Sequence, residues 1–213
     1  MSKLLKIDFV SDVVCPWCAV GLASLDRALE RIGGDIPVEL HFQPFELNPQ
    51  MAPEGEDIDE HLARKYGGTK EQRQAARAAI RERGAAVGFD FGPRERTYNT
   101  FDAHRLLHWA GLEGRQRELK QALLKAYHSE GRNPSDAEVL ATVAAEAGLN
   151  EARAREILQG DEFAEVVRAN EQHWQRLGIN SVPSVIVNNR HLIQGGQPPE
   201  VFEQALREIA AAG

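Results

Sequence analysis

The sequence SDVVCPWC, residues 11–18, contains both cysteines of this 213-residue chain and directly follows an apolar run. Cys15 and Cys18 are separated by two residues, so at the start of a helix their thiols can close into a small disulfide ring and reopen. Pro16 suits the first helical position, where a backbone N–H has no partner and the ring already holds φ at a helical value. We therefore expect a helix that begins at Pro16, with Cys15 as its N-cap.

This arrangement predicts different roles for the two cysteines. Unpaired N–H groups of the first turn and the positive end of the helix dipole would face the Cys15 sulfur and favour its thiolate. Cys15 is therefore the expected nucleophile. Cys18 lies one turn into the helix, where it is shielded, and is the expected resolving thiol that attacks a mixed disulfide and frees the product.

Two other interpretations of the cysteine pair stay open. A pair at this spacing can be half of a zinc site, but tetrahedral zinc needs four ligands and the chain has no second cysteine pair. His104 and His108 are spaced as ligands on one helix face, yet they lie far outside the usual finger spacing. Two buried structural cysteines are the other alternative, because cysteine is common in protein cores.

Composition narrows the class of protein and of partner. The content of 42% hydrophobic and 27% charged residues is ordinary for a globular chain with a sizeable core. A formal net charge of −7 disfavours a phosphate-backbone partner, so we expect no nucleic acid ligand. No segment approaches the roughly 20 apolar residues that cross a bilayer, and no signal-peptide pattern is evident. These features predict a cytoplasmic protein without a membrane partner, in which a lone cysteine pair is more typical of catalysis than of structure.

Strand patterns occur near the two ends of the chain. The apolar run Leu4–Val10 indicates a buried strand, and Val38–Phe42 alternates as a second strand should. The helix between them carries leucines at spacings of three and four and ends at Gly33. A strand–helix–strand crossover is right-handed, so the two strands should be parallel neighbours with the cysteines at the carboxyl end of the first.

The C-terminal part repeats strand patterning after a long helical stretch. Ser184–Val187 and His191–Ile193 flank the turn sequence Asn188-Asn189, which predicts a hairpin, and a final apolar-faced helix follows. The element order is β-α-β, a helical block, then β-β-α. We therefore predict an α/β sheet unit formed by residues 1–50 and 179–213, with an inserted all-helical domain at residues 51–178.

The helical block is predicted from apolar periodicity and capping signals. Thr69 with Gln72 forms a capping-box pattern, Ser135 with Glu138 repeats it, and the Arg- and Glu-rich run Glu71–Arg83 is interpreted as a solvated helix face. Phe89 and Phe91 either line a cleft or staple two helices. The predicted helices cover Asp57–Tyr66, Thr69–Val87, Thr100–Ala110, the region of Leu119–Tyr127, Ser135–Gly148, Ala152–Leu158 and Asp161–Leu177.

Four motifs together resemble a known family over nearly the whole chain. They are the SDVVCPWC start, the Pro44–Pro49 segment PFELNP, Asn99-Thr100 with Ala103-His104-Arg105, and the Gln194–Pro198 segment QGGQP. Together with Ser181-Val182-Pro183 before a late strand, they resemble the DsbA-like branch of the thioredoxin fold. More narrowly, they resemble its FrnE subgroup, which is related to 2-hydroxychromene-2-carboxylate isomerases and kappa-class glutathione transferases. The resemblance implies a thioredoxin fold with an inserted helical domain and a thiol:disulfide oxidoreductase.

The resemblance also implies a substrate groove beside the cysteines. Val182 and Pro183 would be joined by a cis peptide bond and would pack there; an ordinary trans proline at a strand entrance is the alternative interpretation. Pro16 and Trp17 would contact substrate, with the Trp17 ring as an exposed apolar surface. Asn99 and His104 would line the cleft from the helical domain. His104 is either a proton relay or a packing or capping histidine.

Departures from the family pattern affect the expected chemistry. The central pair is Pro-Trp rather than the Pro-His of strongly oxidising periplasmic enzymes, so we expect reduction or shuffling of protein or small-molecule disulfides rather than net oxidation. The alternative function is a glutathione-dependent isomerase of a small aromatic or polyketide metabolite, although such relatives typically have Ser at the nucleophile position. A non-enzymatic metal- or peptide-binding module is a third hypothesis. We expect no tightly bound cofactor, with glutathione open as reductant or co-substrate, and a homodimer is expected by resemblance only.

Overall fold

Strands from the two ends of the chain form one four-stranded sheet, and a mainly helical stretch lies between them in sequence. The computed structural model describes residues 4–212, so residues 1–3 and 213 of the predicted sheet unit lie outside the described residues. The elements in chain order are β1 (Leu5–Ser11), α1 (Pro16–Ile32), β2 (Val38–Pro44), β3 (Glu56–Asp57), α2 (Ile58–Tyr66), α3 (Lys70–Val87), β4 (Arg96–Thr97), α4 (Phe101–Leu112), α5 (Gln116–His128), α6 (Ala137–Glu146), α7 (Glu151–Gln159), α8 (Ala164–Arg176), β5 (Ser184–Val187), β6 (His191–Gln194) and α9 (Pro199–Ala212).

The sheet has the strand order β2-β1-β5-β6. β1 pairs with β2 in parallel, with Leu5 opposite Val38, and pairs with β5 antiparallel on its other edge. β5 and β6 form the predicted antiparallel hairpin, in which Asn188 and Asn189 both have positive φ, as the tight turn between such strands requires. The predicted parallel pair and the predicted hairpin are both confirmed, which gives the thioredoxin-like α/β fold.

The helix that carries the cysteines begins and ends where local chemistry predicts. Cys15 is the N-cap, Pro16 is the first helical residue, and Gly33 ends the helix with a φ of 58°. The apolar stripe of α1 packs with α9 and the sheet. Its buried residues Leu22, Leu25, Ala28 and Ile32 share a core with β1, β5 and the α9 residues Phe202 and Leu206. This core fixes α1 at the carboxyl end of β1.

A second core lies among the helices. It is built mainly from the buried faces of α4, α5, α6 and α7 and includes Val13 from the loop before the cysteines. Leu124 of α5 belongs instead to the core under the sheet. The cysteine loop is therefore anchored in both cores, because Val13 packs among the helices while α1 packs on the sheet. The division into residues 1–50, 51–178 and 179–213 stays a prediction.

The structure corrects some details of the helical stretch. Asp136, not Ser135, caps α6, and its carboxylate accepts the Val139 N–H at 2.9 Å. The Thr69–Gln72 capping box is confirmed. A short antiparallel ladder of β3 and β4 interrupts the helices, which strand periodicity could not reveal in two-residue segments. Among residues 4–212, no helix is long and apolar enough to pass through a membrane.

Candidate active site

The two cysteines differ in how deeply they are buried. Cys15 is 4% exposed and its thiol donates a hydrogen bond to the Val182 carbonyl at 3.7 Å, whereas Cys18 is fully buried. The two thiols are near enough to interact electrostatically, and neither cysteine is in a disulfide. The loop before α1 and the loop before β5 therefore meet at the Cys15 sulfur.

The backbone around Cys15 differs from the sequence expectation. The side chain of Cys15 accepts no hydrogen bond from the first turn of α1. Instead, its backbone carbonyl accepts the N–H groups of Cys18 at 3.1 Å and Ala19 at 3.4 Å, which leaves the thiol directed at Val182. The first-turn N–H groups therefore form no hydrogen bond with the sulfur in this thiol form, although Cys15 does occupy the N-terminus of the helix.

A cleft of about 790 Å³ opens beside Cys15. Its volume lies within the range of small-molecule sites, and its lining is mainly apolar. The walls come from the cysteine loop, the segment after β2, the helices α2 and α3, and the loop before β5. The apolar lining residues are Val14, Pro16, Trp17, Phe45, Leu47, Ile58, Leu62, Ala76, Ile80 and Val182.

Three of the predicted substrate-binding residues line this cleft. They are Pro16, Trp17 and Val182, and Trp17 is 37% exposed, which is unusual for so large an apolar side chain. Pro183 is buried and is not among the lining residues. The Val182–Pro183 peptide bond is cis, as the resemblance implies. Pro183 packs behind the cleft against α1, where a Cβ on Gly21 would lie 3.0 Å from its Cγ.

The other two predicted substrate-binding residues, Asn99 and His104, do not line the cleft. The Asn99 carboxamide accepts the Phe101 N–H at 2.9 Å and donates to the Met51 carbonyl at 3.2 Å, so its side chain serves the start of α4. His104 is buried, with Nε2 at 3.1 Å from the Phe45 carbonyl. Both side chains are occupied by main-chain groups, which corrects the expectation that they face the cleft.

The zinc hypothesis finds no ligand set in the described part of the chain. No group of three or more His, Cys, Asp and Glu side chains among residues 4–212 is arranged to hold a metal ion. His108 packs beside the Phe163 ring, with ring centroids 5.2 Å apart.

A buried polar cluster lies near Cys18. The Asp12 carboxylate is fully buried and accepts the Leu47 N–H at 2.7 Å, and its other oxygen is 3.5 Å from His104 Nε2. Burial raises the pKa of Asp12, but the hydrogen bond and charge of His104, with the Leu47 N–H, outweigh it, so the pKa lies below its usual value. Asp12 is therefore held as a carboxylate in the interior.

Lys120 of α5 completes the cluster and was not predicted from the sequence. It is 1% exposed, and burial lowers its pKa while the charges of Cys18 and Asp12 oppose that shift. No carboxylate of the described residues lies within ion-pair distance of its ammonium group. The sequence does indicate that Lys120 is buried, because it precedes Leu123 and Leu124 by three and four positions and so lies in the apolar stripe of the helix.

The environment of Cys18 stabilises its thiol form. Burial raises the pKa of Cys18 well above its usual range, and the hydrogen bond to Cys15 and the charge of Cys15 raise it further. The positive charge of Lys120 and a backbone hydrogen bond at Asp12 act in the opposite direction. Cys18 therefore keeps its proton in the dithiol form.

Two further side chains on α2 approach Cys15 from across the cleft. Lys65 donates to the Leu47 carbonyl and to Asn48 Oδ1, both at 2.7 Å. Burial lowers the pKa of Lys65, and the negative charges of Asp12 and Cys15 oppose that change. The pKa of Tyr66 is raised by burial and then by the charge of Cys15. A cation and a phenol therefore lie within electrostatic reach of Cys15.

Comparisons with known proteins identify a sequence family and related structures for this fold. The sequence family described as a DSBA-like thioredoxin domain matches residues 6–207. The structure of a probable DsbA oxidoreductase, SCO1869 from Streptomyces coelicolor, is 34% identical, superposes with a TM-score of 0.91, and covers 98% of this chain and 90% of its own.

Two more distant structures share the fold alone. A 2-hydroxychromene-2-carboxylate isomerase is 13% identical, with a TM-score of 0.72 over 96% of this chain and 95% of its own. The cytosolic disulfide reductase DsbM from Pseudomonas aeruginosa, solved with GSH, is 19% identical, with a TM-score of 0.63 over 95% of this chain and 98% of its own.

Proposed function

The chain belongs to the family of DSBA-like thioredoxin domains, which contains oxidoreductases and isomerases, and from that premise we propose that it is a thiol:disulfide oxidoreductase. The observation that carries the proposal is the placement of two neighbouring free thiols, with Cys15 at the cleft and Cys18 fully buried. One thiol is placed to meet a substrate and the other to meet only its partner. That asymmetry is what a two-step disulfide exchange requires.

In the first step, the thiolate of Cys15 attacks one sulfur of a substrate disulfide bound in the cleft. The substrate S–S bond breaks, one substrate thiolate leaves, and the other half stays bonded to Cys15 as a mixed disulfide. In the dithiol form the Cys15 thiol donates a hydrogen bond to the Val182 carbonyl, and this bond is given up when the thiolate forms.

In the second step, Cys18 loses its proton and attacks the Cys15 sulfur. The mixed disulfide breaks, the second substrate thiolate leaves with the proton, and a Cys15–Cys18 disulfide forms, so the substrate gains the two electrons that the enzyme loses. The raised pKa of Cys18 opposes this step. Lys120 lowers the barrier, because its buried positive charge stabilises the Cys18 thiolate as it forms.

A low-molecular-weight thiol returns the enzyme to its dithiol form. Two thiol molecules supply the two electrons and leave as their own disulfide. Glutathione is the thiol we propose, supported by the GSH found with the fold-related DsbM structure. This cycle suits a reducing cytoplasm and acts on a disulfide of a protein or of a small molecule.

The test is reduction of insulin disulfides by the wild-type protein, Cys15→Ser and Cys18→Ser, with a small thiol as reductant. We expect Cys15→Ser to have no activity above the thiol alone, since it lacks the nucleophile, and Cys18→Ser to lose the resolving step. Equal rates for all three proteins would overturn the proposal.

The volume and apolar lining of the cleft favour a second candidate, a glutathione-dependent isomerase of a small aromatic metabolite. In that reaction Cys15 would position the glutathione sulfur and Cys18 would have no chemical role. The isomerase proposal therefore expects Cys18→Ser to retain full activity on such a substrate, whereas the redox proposal expects its loss.

A further inference from the structure

A small side cavity adjoins the cleft and is bordered by three arginines. Its volume is about 40 Å³, and it shares Ile58, Arg77, Ile80 and Arg94 with the cleft lining. Arg81 also lines it, one turn beyond Arg77 on α3. The volume is enough for a group the size of a carboxylate, since a water molecule occupies about 30 Å³ in the liquid. The run Glu71–Arg83 is therefore more than the solvated helix face predicted from the sequence.

The positive charges around this side cavity are poorly compensated. Arg77 pairs with Asp59, but neither Arg81 nor Arg94 lies within ion-pair distance of a carboxylate among the described residues. Burial lowers the pKa of Arg94, and the positive charges of Arg77 and Arg81 lower it further, against the opposing effect of Tyr127. Arg77 and Arg81 are four residues apart on α3, and two like charges at that spacing destabilise a helix. In a chain of net charge −7, this cluster is a local exception.

Arg94 is held in place before any ligand binds. Its guanidinium lies over the rings of Phe91 and Tyr127, at 5.8 Å and 5.3 Å from their centroids. The Tyr127 hydroxyl is fixed in turn by its hydrogen bond to the Arg96 carbonyl at 3.0 Å. A stacked, immobilised guanidinium loses little conformational entropy on binding and presents its fork of donors to a planar carboxylate.

We propose that the side cavity binds the carboxylate of a small organic disulfide whose apolar body lies in the cleft and whose sulfur reaches Cys15. The proposal rests on the thiol:disulfide exchange proposed above and adds the substrate class. The apolar lining accounts for the body of the ligand, and the arginines account for its charge. The cleft volume matches a small molecule better than a folded protein surface.

The test compares two aromatic disulfides as substrates of the reduced enzyme. The probe 5,5′-dithiobis(2-nitrobenzoate) carries carboxylates, and 2,2′-dithiodipyridine is neutral. We expect Arg94→Gln to lower kcat/KM for the anionic probe by about 10- to 100-fold, mainly through KM, because a hydrogen bond to a charged group is lost. The neutral probe should change by less than about twofold. Arg190→Gln, a surface arginine outside the cleft, is the matched control and should change neither.

If Arg94→Gln lowered kcat/KM for both probes to the same extent, or for neither, the proposal would be overturned. A loss of insulin reduction equal to that of the anionic probe would also overturn it, and would assign the arginines to protein substrates. Binding of 2-naphthoate to Cys15→Ser separates the anion site from the redox chemistry, since no exchange can occur. Binding that is lost in Cys15→Ser/Arg94→Gln would support the site even if the redox proposal failed.

Discussion

The cleft side and the inner side of the Cys15–Cys18 pair differ in polarity and in contact with solvent. The cleft side is mainly apolar and holds Trp17 in contact with solvent. The inner side is closed and holds the Asp12 carboxylate and the Lys120 ammonium in the interior. Two sulfurs one helical turn apart therefore meet different surroundings. The difference indicates that the assignment of roles to the cysteines depends on tertiary packing as much as on their order in the motif.

The largest expected effect concerns Cys15, the cysteine on the cleft side of the pair. With a disulfide substrate, Cys18→Ser should accumulate a stable mixed disulfide on Cys15, whereas Cys15→Ser should form none and lose at least about 1000-fold in rate. Mass spectrometry under non-reducing conditions measures both species. Mixed disulfide on Cys18 in the Cys15→Ser protein would contradict the assignment, because it would place Cys18 within reach of substrate.

The next effect concerns the inner side. Lys120→Met should slow the second release of thionitrobenzoate from 5,5′-dithiobis(2-nitrobenzoate) by about 10- to 100-fold and change the first release much less, because the charge of Lys120 acts more strongly on Cys18 than on Cys15. Stopped-flow absorbance resolves the two steps. Lys125→Met, an exposed lysine on the same helix, is the control and should change neither step. Equal slowing of both steps would assign Lys120 a purely structural role.

The same substitution separates function from stability. The depressed pKa of Lys120 means that its charged form is disfavoured in the folded state, a cost that declines as the pH rises through the folded-state pKa and is gone above the pKa of a lysine in the unfolded chain. Lys120→Met should therefore raise the free energy of unfolding at pH 7, by about 1–3 kcal/mol. Urea denaturation measures it. A large loss of stability would mean that the buried ammonium contributes net stabilisation to the fold.

The pH dependence of the second thionitrobenzoate release tests the buried position of Cys18. The pKa of Cys18 is raised, so the thiolate needed for the second step becomes more populated as the pH rises through and beyond the usual thiol range. The second thionitrobenzoate release should accelerate over that whole range. In Lys120→Met the profile should move to higher pH, because the charge that opposes the raised pKa is gone. A second-step rate independent of pH up to the usual thiol pKa and above would contradict the buried position of Cys18.

The smallest effect probes the packing behind the cleft. Gly21→Ala would place a methyl group 3.0 Å from Pro183 Cγ, so either α1 or the loop before β5 must shift slightly. We expect a loss of about 1 kcal/mol in the free energy of unfolding, with exchange rates changed by only a few-fold. Gly34→Ala is the control, because a Cβ there meets nothing within 4 Å. Equal losses would show that the Pro183 contact is not the cause.

Local chemistry predicted the elements that position the cysteines. Pro16 and Gly33 fix the ends of α1 through their backbone preferences, and Asn188-Asn189 fixes the hairpin because asparagine tolerates positive φ. These backbone preferences act within a few residues, so their effect on structure can be predicted from the sequence. The resemblance to a known family added the cis bond before Pro183.

Residues whose role depends on packing between distant segments were missed or misplaced. Lys120 and Arg94 come from parts of the helical stretch whose approach to the site no local pattern specifies. Asn99 was expected in the cleft but turns to the start of α4, because a carboxamide two residues before a helical N–H can bond to it. His104 was left open between relay and packing, and its buried position near Asp12 favours the packing role.

The account depends on a reversible bond between the two sulfurs. The most direct measurement is mass spectrometry of the protein equilibrated in glutathione redox buffers, with free thiols alkylated before digestion. We predict a peptide linkage between Cys15 and Cys18 that forms with the loss of two hydrogens, disappears in reducing buffer and returns on reoxidation. Both cysteines alkylated as free thiols across every buffer would contradict the account.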